Sequence, residues 1–129
     1  MDGFIANVQK KVLANEFFRQ VLRTGRYVQV VAMNLKCSEE VGEEMHKDSD
    51  QILECLMGKG KVAVNGVAKD FEEEDLLLVK AGQKHNIVNC GHGDLKILVT
   101  YSPPHYPAGT VHKTKEEAVL GTAATAPLA

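Results

Sequence analysis

The amino-acid sequence predicts an all-β barrel or sandwich, and three observations support that expectation. Eight or nine short apolar stretches are separated by turn residues at close intervals. Helical periodicity is nearly absent between them. The pair Asn65-Gly66 joins two strand-like stretches, and Asn-Gly supplies the positive φ angles that a two-residue hairpin turn requires.

Residues 4–8, with Phe4, Ile5 and Val8, and residues 17–22, with Phe17, Phe18, Val21 and Leu22, have the composition of short strands. The mixed segment 10–15 between them also suits a helical turn. Thr24-Gly25 breaks the pattern. In residues 27–35, Tyr27, Gln29, Val31, Met33 and Leu35 share one face, and Val28, Val30, Ala32 and Asn34 share the other. Two largely apolar faces imply a strand covered on both sides. Residues 51–57 form the next strand, closed by Gly58-Lys59-Gly60, and residues 61–64 and 67–71 flank the Asn65-Gly66 turn.

The acidic run 72–75 reads as a solvated turn leading into 76–79, an apolar run short enough for a buried strand. Strands at 85–89 and 95–101 enclose the turn 91–94. Ser102-Pro103-Pro104 ends the sheet, because proline has no N–H to donate to a ladder. Residues 114–120 suit one or two helical turns, with Thr114 as cap and Glu116 and Glu117 in the first turn. A single domain over 1–118 is expected, followed by a small-residue, disordered tail over 119–129.

A chain of 129 residues buries roughly two thirds of its unfolded surface and needs no disulfide or metal to fold. Its net charge of −2, without a basic patch, gives no reason to expect nucleic acid or an anionic membrane as partner. No apolar run approaches the ~20 residues that span a bilayer, and the N-terminus lacks a basic-then-apolar leader, so the cytosol is the expected compartment. Cys37, Cys55 and Cys90 form no C-x-x-C pair and read as free thiols, with Cys55 a small core residue.

The chemistry concentrates in residues 44–51, which place Glu44, His46 and Gln51 between two strand-like segments. Glu44 and His46 are two apart, so on an extended chain they point to one face. His85 follows the turn Ala81-Gly82 and begins a strand. Together these side chains suggest a polar constellation inside a β-barrel, with Asp48 and Asp50 as further carboxylates at its mouth. His92, between two glycines, reads as exposed.

The spacing of these residues is similar to that of the cupin family of small β-barrels, over residues 28–104. Its first motif, G-x5-H-x-H-x3,4-E-x6-G, falls on Ser38, Glu44, His46, Gln51 and Gly58. Its second, G-x5-P-x-G-x2-H-x3-N, falls on Glu74, Lys80, Gly82, His85 and Asn89. The spacing matches throughout; the residue types match in part. The tail over 102–118, with His105 and His112, resembles that of small bacterial cupins with mannose-6-phosphate-isomerase-like names. Its prolines favour an extended arm, packed over the barrel mouth or on a neighbouring subunit.

The resemblance implies a cupin double-stranded β-helix, or jelly-roll barrel, with a short C-terminal extension. It also implies one divalent transition metal, Fe, Mn, Ni, Zn or Cu, held by Glu44, His46, Gln51 and His85. Neutral Gln51 replaces the family's glutamate, and Glu44 restores the lost negative charge. The opposing reading is a metal-free network in which His46 and His85 hydrogen-bond Glu44 and Gln51.

Three functions follow from these readings. One is a metal-dependent isomerase, oxygenase or lyase acting on a small polar molecule, with Glu44 as general base and Met33, Leu53 and Ile87 shaping the pocket. Another is a non-catalytic module that binds a small ligand. The third is a metal-free acid-base catalyst using Glu44 and His46. Lys80 at a strand end reads as solvated, with a desolvated amine nucleophile as the sharper alternative. A homodimer is expected from apolar N-terminal strands available to a neighbour's edge.

Overall fold

The computed structural model describes residues 3–124, with side chains through residue 120. The larger of two antiparallel sheets orders its strands β10 (Val111–His112), β1 (Arg19–Thr24), β2 (Gln29–Leu35), β9 (Leu95–Ser102), β4 (Asp50–Met57) and β7 (Leu76–Val79). The smaller orders β3 (Glu44–Met45), β8 (Lys84–Asn89), β5 (Lys59–Val64) and β6 (Val67–Glu72). One apolar core draws on both sheets, including Leu35, Leu53, Cys55, Ile97 and Val99 from the larger and Val62, Phe71 and Ile87 from the smaller.

Period-two alternation decides which side chains enter that core. On β4, Gln51, Leu53 and Cys55 are inside; Asp50 and Ile52 are exposed. The β5–β6 hairpin closes at Val64↔Val67 around Asn65 (φ 48°) and Gly66 (φ 82°), as the Asn-Gly pair predicts. Ser38 (φ 65°) and Glu74 (φ 77°) also adopt the left-handed conformation, at the two positions where the family motif has glycine.

The outer face of β2 is covered, because Ala32 and Asn34 are as buried as Val31 and Leu35. The cover is α1 (Val8–Ala14), which packs across β2, β9 and β4 and buries Val12. Asn7 starts this helix by accepting the Lys10 N–H at 3.0 Å, and Lys96 Nζ fastens its end by donating to the Asn15 carbonyl at 2.6 Å. The strand expected over residues 4–8 is therefore absent. Asn7 caps a helix there, and Val8 opens it.

Two further expectations change. The run 76–79 is not a buried strand but the edge strand β7, whose Leu76 and Leu78 point outward, 59% and 53% exposed, while Val79 turns inward. The N-terminal edge expected to be open to a neighbour is partly covered: β1 is paired on one side with β2 and, at Arg19 and Gln20, on the other with β10, through Arg19↔His112 and Gln20↔Val111. The C-terminal arm thus closes on its own barrel.

Beyond the arm, α2 (Lys115–Ala124) starts where Thr114 Oγ1 accepts the Glu117 N–H at 3.1 Å, and its Ala118 enters the core. The helix expected over 114–120 continues to residue 124, into the tail expected to be disordered; residues 125–129 lie outside the described residues. No helix among the described residues is long and apolar enough to cross a membrane. The three cysteines are free, and burial pushes the Cys55 thiol up to about 11, as suits a core residue.

Candidate metal centre

Strand register assembles the predicted constellation. The β3–β8 ladder sets Glu44 opposite His85, and the ladders of β4 set Gln51 beside Tyr101. His85 Nδ1 lies 3.0 Å from the Gln83 carbonyl, which can only accept, so Nδ1 carries the proton and Nε2 presents a lone pair to the interior. That lone pair accepts from the Gln51 carboxamide at 2.7 Å. His46, directly after β3, is buried, and its Nε2 has no hydrogen-bond partner among the described residues. One oxygen of Glu44 and one nitrogen each of His46 and His85 lie within 4.8 Å of one another.

The metal-free network expected from the sequence is therefore half present. Gln51 satisfies His85, but no group among the described residues satisfies His46 Nε2. Burial, followed by the repulsion that a protonated His46 would meet from His105 and His85 once they too are protonated and from Arg19, pushes His46 down to about 3, so its imidazole is neutral near pH 7. Burial raises the Glu44 carboxyl above its ordinary value, outweighing the opposing pull of Arg19 and His85.

The sequence reading missed the other half of the site. The His46 ring contacts those of His105, His85 and Tyr101 at centroid distances of 4.2, 5.2 and 5.6 Å. The Tyr101 and Tyr106 rings meet edge to face at 5.5 Å, and Arg19 lies over the Tyr106 ring at 4.6 Å. Gln29 ties the arm down: its amide nitrogen donates to the Tyr106 carbonyl at 2.7 Å, and its oxygen accepts the His105 and Tyr106 N–H groups at 3.1 and 3.0 Å. The available signal was Arg19 between Phe18 and Val21, a charge at an inward position of an apolar strand.

Other candidates have plainer roles. Asp50 accepts the Ala81 N–H at 2.8 Å as a turn cap, while Asp48, Lys80 and His92 are exposed. Asn89 holds the following turn, donating to the Leu35 and Gly93 carbonyls at 2.9 and 2.8 Å and accepting the Gly91 N–H at 2.9 Å. Met33, Leu53 and Ile87 point inward as expected.

The donor set fits a divalent transition ion. Bonds of about 2.1 Å put neighbouring donors about 3 to 4 Å apart, so a trio within 4.8 Å needs only a small inward adjustment. The Gln83 carbonyl already orients His85, as the outer partner of a ligating histidine does. Ligation by His85 Nε2 requires the Gln51 amide to leave it or to turn its oxygen inward.

Two antiparallel sheets enclosing a Glu-His-His trio define a small double-stranded β-helix barrel with a possible metal site. Residues 31–101 match the family model described as a cupin domain, and the chain belongs to the cupin family. It is 38% identical over 123 residues to the uncharacterized protein YrkC of Bacillus subtilis, covering 90% of this chain and 66% of that protein. The chain thus spans about two thirds of that relative's length. The crystal structure of BH2720 from Bacillus halodurans superposes with a TM-score of 0.89 at 34% identity, over 91% of this chain and 93% of that one. A predicted oxalate decarboxylase from Thermotoga maritima superposes with a TM-score of 0.56 at 27% identity, over 58% of this chain and 65% of that one.

Proposed function

We propose that the barrel binds one divalent transition metal on Glu44, His46 and His85, and acts there on a small polar molecule as a metal-dependent isomerase, oxygenase or lyase. The supporting observation is His46 Nε2, a buried ring nitrogen without a hydrogen-bond partner among the described residues, beside two further donors. An orphaned buried polar atom costs about 1–3 kcal/mol, which an ion offsets. Imidazole and carboxylate suit Fe, Mn, Ni, Zn and Cu alike. When bound, such an ion supplies Lewis-acid polarisation of a substrate oxygen.

The protein's own groups do the rest. Gln83 holds the His85 tautomer, and Tyr101, His105 and Tyr106 pack around His46 and keep bulk water from it. Gln51 supplies an amide oxygen as a fourth, neutral donor once it turns. Glu44, if released from the ion, is the carboxylate placed to take a substrate proton. The similarity to a predicted oxalate decarboxylase supports a reaction on a small polar molecule.

A second reading has its own support. The Gln51 amide occupies His85 Nε2 at 2.7 Å, as in a metal-free site that binds a ligand or uses Glu44 and His46 for acid-base chemistry. Elemental analysis of protein purified without a chelating column separates the two. About one metal per chain is expected, lost in His46→Ala and His85→Ala; a protein that takes up none of Fe, Mn, Ni, Zn or Cu when each is offered leaves only the metal-free reading.

A further inference from the structure

We infer that a small carboxylate binds beside the trio, its negative group taken up by Arg19. The inference deepens the proposed function and rests on it through Glu44, the member of the trio that lines the neighbouring cavity. That cavity, of about 220 Å³, is lined by Arg19, Glu44 and Lys115 and by the apolar side chains of Phe18, Val41 and Ala118.

Arg19 is the observation that demands a ligand. Its side chain is buried, at 3% exposure, and the residue lines the cavity. Among the described residues the guanidinium has one hydrogen-bond partner, His112 Nδ1 at 3.2 Å; Nε has none, and no carboxylate lies within ion-pair distance. The rings of Tyr106 and Phe18, at 4.6 and 5.2 Å, compensate the charge only in part. Two ring faces do not replace the hydrogen bonds to water that a buried guanidinium gives up. Glu44 shares the cavity but is committed to the metal in the proposed site.

Charge, shape and size then select the ligand class. Arg19 and Lys115 outnumber Glu44 among the lining charges, and a divalent ion widens the excess. A guanidinium with unfilled N–H groups matches a planar carboxylate through a two-point fork. The volume lies below the roughly 300 Å³ at which drug-sized pockets begin, so the molecule is short. Phe18, Val41 and Ala118 suit its carbon chain, and half-buried Lys115 can meet a second acidic group.

Calorimetric titration of the full chain, metal-loaded and metal-free, with malonate, malonamide and inorganic phosphate tests this. Malonate should bind and malonamide should not. Arg19→Met should weaken malonate about tenfold or more, the worth of a charge-assisted hydrogen bond, and Arg19→Lys should weaken it less. Val41→Phe, which fills the cavity and leaves every charge in place, should also abolish binding; it remains a test if Arg19 variants do not fold. Equal malonate affinity in folded Arg19→Met or Val41→Phe, tighter binding of phosphate, or no malonate binding by the folded wild type overturns the inference.

Metal content measured on the same samples keeps the two readings apart. Arg19-dependent malonate binding by a chain that takes up no metal leaves the carboxylate site standing and removes the metal. A metal-loaded chain indifferent to malonate does the reverse.

Discussion

The two ends of the barrel are built from the same strands and obey opposite rules. At one end the inward side chains of β2, β4 and β9 are Gln29, Gln51 and Tyr101, brought side by side by the registers Gln29↔Tyr101 and Gln51↔Tyr101. At the other they are Leu35, Cys55, Leu95 and Ile97, aligned by Leu35↔Leu95 and Cys55↔Ile97. Apolar side chains need only fill space, so any neighbour is a partner. Polar ones need a particular atom at a particular distance, and of three buried polar atoms without one among the described residues, two belong to the polar end: Arg19 Nε and His46 Nε2. The apolar end holds the fold, and the polar end leaves bonding capacity for a ligand.

The largest effect should come from damage to the apolar end. Ile97→Ala removes a fully buried side chain and should cost about 2–5 kcal/mol, read from urea unfolding. Metal content per folded chain should stay the same. A loss of metal there would mean that the two ends are coupled through the core.

The polar end should respond with the opposite sign. In metal-free protein at pH 7, His46→Phe replaces an unsatisfied ring with an apolar one and should stabilise by about 1 kcal/mol while abolishing metal binding. Its advantage should grow in acid. His46 sits at about 3 in the folded protein and near 6.5 unfolded, so across that window the unfolded chain holds the extra proton. Wild type therefore loses about 1.4 kcal/mol per pH unit as pH falls from 6.5 towards 3, and His46→Phe does not. The raised Glu44 carboxyl acts oppositely, stabilising at low pH and losing that contribution as pH rises through its folded value; being present in both proteins, it cancels in the difference to first order. Parallel stability curves would show that His46 takes up a proton as readily inside the barrel as outside.

The smallest effects belong to the turns, which serve neither end directly. Ser38→Gly and Glu74→Gly relieve left-handed conformations at φ 65° and 77° and should each raise stability by up to about 1 kcal/mol, with metal content unchanged. A decrease in thermal stability would show that the side chain contributes more than the strain costs.

Most of the strands were legible because alternation and turn chemistry are local. Asn65-Gly66 specified its hairpin, and the two apolar faces of residues 27–35 announced a strand covered on both sides. The covering element was misread, since a few apolar residues near Asn7 suit a strand or a capped helix equally until an outer sheet face is there to receive Val12. Leu76 and Leu78 misled in the other sense: their hydrophobicity says nothing about which strand lies at an edge.

Within the site, motif spacing located Glu44, His46, Gln51 and His85, whereas Arg19, His105 and Tyr106 lie outside both motifs, Arg19 reaching the cluster from β1 and His105 and Tyr106 through the closing arm. By itself, then, the sequence determined the strands, the barrel class and the place of the polar trio, because these depend on residue type and short-range spacing. Only the tertiary structure decided that His46 Nε2 is left without a partner and that a buried arginine faces the same cavity as Glu44, because hydrogen-bond satisfaction is a property of distances between segments far apart in the chain.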